Sequence, residues 1–263
     1  MIRAKKHFGQ HFLHDRAIIE RIVAALDIQN EDRILEIGPG PGALTFRLAD
    51  YDVPLTAIDA DPDMITHLQT HHWHRRVHLI CADALEFDYD SIIKASTKVI
   101  SNLPYQTSVP ITGRLLHYCE RISRMVLMYQ KEVAERIRAE PGQKAYGPIS
   151  VLCQTQFHVD RVMNLGPGAF SPPPKVQSQV LRFERRERPF LDVRFLDQLR
   201  HLIEPLFQNR RKMVVTTLKK LTHKSGANSD LLESFAQTGL PSQARPEEIS
   251  PEDYVRWLMT LKP

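Results

Sequence analysis

With 263 residues, 42% of them hydrophobic and 25% charged, the chain can bury a full core, which excludes disorder and fits one large domain beside a smaller one. No apolar run approaches the roughly 18 to 20 residues of a membrane span, and Met1 to Phe12 lacks a secretory apolar stretch, so a soluble, cytosolic protein without a membrane partner is expected. A formal charge of +4 and an isoelectric point near 9.0 only hint at a polyanionic partner; where the positive charge sits matters more.

A helix is expected from Asp15, which can cap it, with Ile18, Ile19, Ile22, Val23 and Leu26 on one face. Short apolar runs follow at Arg33 to Ile37, Leu55 to Ile58, Val77 to Cys81, Lys98 to Ser101 and Met125 to Tyr129, with segments of helical length between them. That alternation predicts crossover connections and a mostly parallel sheet covered on both faces. Beyond Tyr146, Asp160 to Leu165 and Val176 to Glu184 read as strands joined by a Gly- and Pro-rich loop, 166–175, so they should pair antiparallel at the end of the sheet. From Asp192 only helical periodicity remains: Phe195, Leu199, Ile203 and Leu206, then Val214, Leu218 and Leu221, then Leu231 and Phe235, then Tyr254, Val255 and Leu258. Pro189, beside the charged run Glu184 to Arg188, marks the expected boundary between an α/β domain, 1–188, and an all-helical domain, 189–263. Cys81, Cys119 and Cys153 are odd in number and far apart, which argues against a disulfide framework and against a zinc cluster.

The first strand runs into Glu36-Ile37-Gly38-Pro39-Gly40-Pro41-Gly42-Ala43 and then a helix-like stretch. Glycines at such a turn let the backbone adopt positive φ and approach a ligand, which marks a nucleotide-type cofactor pocket. Gly38, Gly40 and Ala43 also fit the dinucleotide fingerprint, with Asp59 at about the right distance. Pro39 and Pro41 carry no N–H, however, so the loop offers few donors to a pyrophosphate; S-adenosylmethionine has no phosphate and tolerates that loss. At the ends of the second and third strands, Asp59 can accept ribose hydroxyls and Asp83 an adenine amino group, although such a carboxylate taken alone is more often a helix cap or a solvated loop residue.

The fourth strand ends in Ser101-Asn102-Leu103-Pro104-Tyr105. This resembles the [DNS]-[LP]-P-[YF] motif of amino methyltransferases acting on adenine, cytosine or glutamine nitrogen. The chemistry explains the residues: an exocyclic amine conjugated with its ring is a poor nucleophile. If the Asn102 side-chain oxygen and the Pro104 carbonyl accept its two N–H bonds, the nitrogen can become tetrahedral and aim its lone pair at a methyl group without a strong base. Tyr105 can stack on the target base, and Phe170, ahead of three stiffening prolines at 172–174, can supply a second wall.

With these residues in view the chain resembles, nearly end to end, the bacterial ribosomal RNA adenine N6-dimethyltransferases of the KsgA type. The matching segments, in family order, are Lys6 to Leu13, Gly38 to Thr45, Asn102 to Tyr105, Phe170 to Val176 and Asn209 to Lys212. The resemblance implies a Rossmann-like class I methyltransferase sheet, mostly parallel with one antiparallel strand, and a smaller all-helical C-terminal domain. It implies that His11, Leu13, Gly38, Gly40, Asp59, Asp83 and Asn102 line an S-adenosylmethionine pocket, from which S-adenosylhomocysteine leaves as product. Asn102, Pro104, Tyr105 and Phe170 would hold the adenine. The implied substrate is two adjacent adenosines in the 3′-terminal hairpin of 16S rRNA in an assembling small subunit, each receiving two methyl groups from a monomeric enzyme. Asp59 stands where relatives often carry Glu, and His11 where many carry Asn. An assembly factor with secondary catalysis, a large-subunit methyltransferase of the antibiotic-resistance type and a nicotinamide-dependent oxidoreductase are the competing readings.

Between Pro205 and Ser225 lie six basic residues and no acidic one. On a helix Lys212 and Lys219 share a face opposite Val214 and Leu218, so Arg210, Arg211, Lys212 and Lys219, with Lys5 and Lys6 at the start, are the expected RNA contacts. His67, His71, His72 and His74 lack the glutamate of an H-E-x-x-H motif and are expected to form an exposed loop around Trp73 rather than a metal site.

Overall fold

The structure, a computed structural model, describes residues 10–72, 76–225 and 229–261, with 222–225 and 229 as backbone. After a two-residue strand β1 (Phe12–Leu13), the Asp15 carboxylate accepts the Ile18 amide at 3.1 Å and starts α1 (Arg16–Leu26). Ile19, Ile22, Val23 and Leu26 are buried, and Asp27, at φ 53°, ends the helix in the left-handed region. The alternating segments become β2 (Arg33–Ile37), α2 (Thr45–Leu48), β3 (Leu55–Asp59), α3 (Pro62–Gln69), β4 (Val77–Cys81), β5 (Thr97–Asn102), α4 (Ser108–Leu116) and β6 (Ile122–Gln130). Then follow α5 (Lys131–Arg138), α6 (Pro148–Gln156), β7 (Phe157–Leu165), β8 (Phe170–Ser171), β9 (Ser178–Arg185), α7 (Leu196–Phe207), α8 (Val214–Ser225), α9 (Ser229–Gln237) and α10 (Pro251–Thr260).

Seven strands form one sheet in the order β4-β3-β2-β5-β6-β9-β7. The first five run parallel, and β9 lies antiparallel to β6, with Met128 opposite Val180. Gln179 reaches Asn164 and Arg182 reaches Asp160, so β7 and β9 also run in opposite directions, as the loop between them predicts. From β2 the chain steps outward to β3 and β4, then crosses to β5 on the other side of β2. Such a reversal opens a crevice at the carboxyl ends of the two central strands, where connecting loops part in opposite directions. Ile37 and Asn102 end those two strands.

The chain packs as two compact units, 1–134 with 158–185, and 135–157 with 186–263. They are not the consecutive domains split at 188/189 that the sequence suggests. The difference lies in α6, whose sides are buried nearly all round and which packs on α7 and α10, so that 135–157 belongs with the helices of the tail. Within this second unit three buried aromatic side chains with a polar atom each find a partner for it: Tyr146 Oη donates to the Ile249 carbonyl at 2.9 Å, Tyr254 Oη to the Pro246 carbonyl at 2.8 Å, and Trp257 Nε1 to Ser234 at 3.0 Å. Also unforeseen is the small sheet of β1 and β8, which pairs Phe12 with Ser171 and Leu13 with Phe170. Two residues are too few to show a period.

Within the first unit Lys98 and Asp32 form a buried ion pair at 2.7 Å, their side chains only 7% and 5% exposed. Lys98 Nζ also donates to the Asp27 carbonyl, and Asp32 accepts the Gln29 amide, so the pair ties the end of α1 to β5. Removing one partner strands the other charge, so Asp32→Ala should cost about 3 to 5 kcal/mol, while Asp32→Leu with Lys98→Met recovers most of it. Guanidinium unfolding measures both, and a single variant as stable as the parent would remove the pair from the account of the fold.

Candidate active site

A cavity of about 200 Å³ opens at the crevice between β2 and β5, walled by the glycine loop, the ends of β3 and β4, the Asn102 motif and the β1 segment. Gly38, Gly40 and Gly42 take φ values of 67°, 54° and 99°. At Gly42 an added Cβ would lie 2.9 Å from Leu68 and 3.0 Å from Phe46, and at Gly40 it would meet the Phe12 ring at 3.3 Å. Both positions therefore require glycine for backbone sign and for space. Gly38 is held by its own amide, which donates to the Ile58 carbonyl at 2.8 Å.

Asp59 is 9% exposed and braces the loop: its carboxylate accepts the amides of Gly40 at 3.0 Å and Asp61 at 2.9 Å. Asp83 is exposed at the cavity wall, and one oxygen accepts the Leu85 amide at 2.8 Å, so it serves as the cap of a turn as well as a wall. His11 and Leu13 both line the cavity, Leu13 with its side chain in the core. Asn102 Nδ2 donates to the His11 carbonyl at 2.9 Å. That bond assigns the amide: Oδ1 is the end left over, and no described residue donates to it. Tyr105 lies in the same wall, its hydroxyl 2.7 Å from Ser178 Oγ and its pKa raised by burial against the pull of that hydrogen bond.

Two expected roles are not met. The Pro104 carbonyl accepts the Thr107 amide at 3.1 Å and its hydroxyl at 3.4 Å in the turn that starts α4, so its acceptor sites are taken. The Leu103 carbonyl, one residue earlier in the same wall, accepts from no described residue. Phe170 is 3% exposed and packs with Leu13 and Ala169 in the core, outside the cavity wall, because pairing of β8 with β1 turns it inward.

Glu36, Gln10 and Asp61 also shape the site, although no motif singles them out. Glu36 is 1% exposed in the cavity floor, with Oε2 unpartnered; burial pushes its pKa up to about 8, against the pull of Thr45 and with a push from Asp59. A glutamate between Leu35 and Ile37 in a wholly apolar strand was the available signal. Gln10 Nε2 donates to Asp61 at 3.1 Å, pinning the β1 segment to the cap of α3. Among its described lining residues the cavity has Glu36, Asp59 and Asp83 but no Lys or Arg. That donor set suits a cationic ligand bearing hydroxyl and amino donors and opposes a pyrophosphate.

A family model described as ribosomal RNA adenine dimethylase matches residues 1–261. The chain belongs to this family. The chain is 41% identical to the ribosomal RNA small subunit methyltransferase A of Syntrophotalea carbinolica, over 99% of this chain and 98% of that one, and 40% identical to that of Shewanella woodyi, over 96% and 92%. Among solved structures it is similar to a dimethyladenosine transferase from Plasmodium falciparum, with a TM-score of 0.80, 24% identity and coverage of 95% and 96%. It is also similar to the 23S rRNA methyltransferase ErmE, with a TM-score of 0.69, 23% identity and coverage of 95% and 99%. Those two likenesses establish the Rossmann-like fold.

In the second unit Arg211, Lys212 and Lys219 are exposed, but only Lys219 stands on α8; Arg211 and Lys212 lie in the turn before it, so Lys212 and Lys219 do not share a helix face as expected. Arg210 differs: its guanidinium forms a pair with Glu247 at 2.5 Å and donates to the Lys144 carbonyl at 2.7 Å, so it clamps its own unit together. Lys212 lies beside Lys220, which lowers its pKa, rather than sharing its immediate surface with Lys219 alone. Lys5, Lys6, Trp73 and His74 lie outside the described residues, as do the side chains of His223 and Lys224. Nε2 atoms of His67 and His71 stand 3.4 Å apart, with His71 edge-on to Phe46. Among the described residues no group of three or more His, Cys, Asp or Glu is placed to hold a metal ion, and no helix is long and apolar enough to cross a membrane.

Because the folded pKa of Glu36 lies near 8 and the ordinary value is 4.5, its folded form keeps a proton that the unfolded chain has lost. The protein's stability is therefore intact below the ordinary value and falls, at up to roughly 1.4 kcal/mol per pH unit, as pH rises toward the folded one. Glu36→Gln abolishes that titration, so its stability advantage over the parent should widen between about pH 5 and about pH 8. Urea unfolding across that range reads the gap, and a constant gap contradicts the buried-carboxyl account.

Proposed function

We propose that the protein transfers methyl groups from S-adenosylmethionine to the N6 amine of adenosines in small-subunit ribosomal RNA, two to each of two adjacent adenosines in the 3′-terminal hairpin of 16S rRNA. The observation that carries this reading is the pairing of Asn102, its Oδ1 open for an N–H donor, with Tyr105 in a cavity wall that holds Asp59, Asp83 and the buried Glu36 carboxyl and, among its described residues, no Lys or Arg. The family match over residues 1–261 and the curated relatives named small subunit methyltransferase A support the small-subunit substrate over a large-subunit one.

S-adenosylmethionine supplies an electrophilic methyl group on a sulfonium. Its fit rests on the acceptor set: Asp59 would take the ribose hydroxyls and Asp83 the adenine amino group, and the unpartnered Glu36 oxygen leaves a hydrogen-bonding position open in the floor. For the acceptor, Asn102 Oδ1 and the Leu103 carbonyl take the two amine hydrogens. Leu103 replaces Pro104 in this role because the Pro104 carbonyl is spent on Thr107. With both hydrogens held, the amine nitrogen leaves the ring plane and presents its lone pair, and its proton passes to solvent after transfer; no side chain of strong basicity is needed. Tyr105, fixed through Ser178, is the stacking platform for a base taken out of its helix.

Arg211, Lys212, Lys219 and Lys220 would bind RNA phosphate, which positions the substrate without reading its sequence. We place the reaction on the assembling small subunit in the bacterial cytoplasm.

Asn102→Ala should lower methyl transfer to unmethylated small subunits by at least about 10²-fold, with cofactor affinity within about tenfold of the parent. Labelled S-adenosylmethionine with mapping of the modified nucleotides measures the first, and titration calorimetry the second. Unchanged turnover would falsify the acceptor role of Asn102. Rescue of subunit assembly by the same variant, in cells lacking the protein, would assign part of its role to binding alone.

A further inference from the structure

Tyr105 is held at both ends. Its carbonyl accepts Ser108 Oγ at 2.9 Å in the first turn of α4, and its hydroxyl lies 2.7 Å from Ser178 Oγ at the start of β9. Ser178 is fully buried and is not among the residues that wall the cavity. Its main chain is set by its neighbours: Ser178 stands opposite Gln130 in the β6–β9 register, the Gln177 carbonyl accepts the Lys131 amide at 2.9 Å, and Gln179 Nε2 donates to Asn164 on β7 at 2.7 Å. The serine hydroxyl is thus a fixed point, delivered by the strand that runs antiparallel to β6.

We infer that Ser178 is a positioning residue for methyl transfer: through the Tyr105 hydroxyl it sets the direction of the ring on which the acceptor base stacks, and so the angle at which the amine meets the methyl group. This rests on the reading of Tyr105 as the base platform and deepens it. Oη lies on the long axis of the ring, so a bond to it fixes where that axis points; turning the side chain about its Cα–Cβ bond moves Oη and breaks the bond. The phenolic oxygen is conjugated with the ring, so whichever hydroxyl donates, the bond lies best in the ring plane and resists tilt about the axis. Stacking itself does not need the hydroxyl, since the motif takes Phe or Tyr at this place and both offer the same flat face. What the hydroxyl adds is direction. Transfer between aligned atoms depends steeply on direction, so a small swing of the platform should slow the chemical step more than it weakens binding.

Ser178→Ala and Tyr105→Phe break the same bond from its two ends, and the second keeps the ring. Each should lower kcat with unmethylated small subunits by about fivefold to thirtyfold while KM moves by less than about threefold. The double variant should be within about twofold of the slower single one, because one bond can be lost only once. A 2-aminopurine at the target position of an RNA hairpin should be quenched less by either single variant than by the parent. Losses that multiply in the double variant would give the two hydroxyls unrelated roles and overturn the inference, as would a Ser178→Ala variant with the kcat of the parent. A Ser178→Ala loss matched by an equal fall in S-adenosylmethionine affinity, measured by calorimetry, places the serine on the cofactor side and also overturns it. Tyr105→Phe leaves β9 untouched and keeps the test open if Ser178→Ala does not fold: the kcat of the parent there is decisive against the bond. Tyr105→Ala separates the two levels, since unchanged kcat and KM there would remove the platform itself, whereas a loss there with parent behaviour in Ser178→Ala and Tyr105→Phe removes only the anchor.

Discussion

The hydrogen bond from Asn102 to the His11 carbonyl settles which end of a symmetric-looking amide is engaged within the protein and which is left over. An asparagine has two donors and one acceptor oxygen, and a site that must accept N–H bonds can use only the oxygen. By consuming the amino end, an otherwise unremarkable stretch of main chain converts Asn102 into an acceptor of fixed direction. The same bond closes the β1 segment over the glycine loop, where Phe12 fills the space beside Gly40. Without it the end of β5 would lose its orientation and the cavity one of its walls.

The parts of the fold that repeat are legible in the sequence. Apolar runs separated by helical lengths give the parallel strands, and Asp15 gives the start of α1, because period and capping are local properties. What escapes is non-local. The β1–β8 sheet has two residues on each side, the role of Phe170 is decided by its partner Leu13, and the allegiance of 135–157 is decided by helices placed far along the chain. In the site, Gly38, Asp59, Asp83, Asn102 and Tyr105 come together at one cavity because they end neighbouring strands, an arrangement their motifs and order already imply. Pro104 and Arg210 differ for a common reason: a residue type fit for ligand contact was already engaged within the protein, by Thr107 in one instance and Glu247 in the other.

Electrostatics divide the two units sharply. The cavity of the first is lined by the acidic side chains of Asp59, Asp83 and Glu36, the last so deeply buried that it holds its proton to about pH 8. The second displays Arg211, Lys212, Lys219 and Lys220 on its surface. An acidic cavity and a basic surface thus belong to different units, and the weak overall charge of +4 conceals both.

The allegiance of 135–157 also sets an order of events during synthesis. All residues of the α/β unit have been made once Arg185 is added, and that unit can then close. α6 cannot: its packing partners α7 and α10 are made later, α10 only at Pro251–Thr260. The apolar α6 must therefore wait for Pro251–Thr260, some hundred positions further on, to leave the ribosome, and a chain interrupted before α10 would carry a finished α/β unit with an uncovered hydrophobic rod attached.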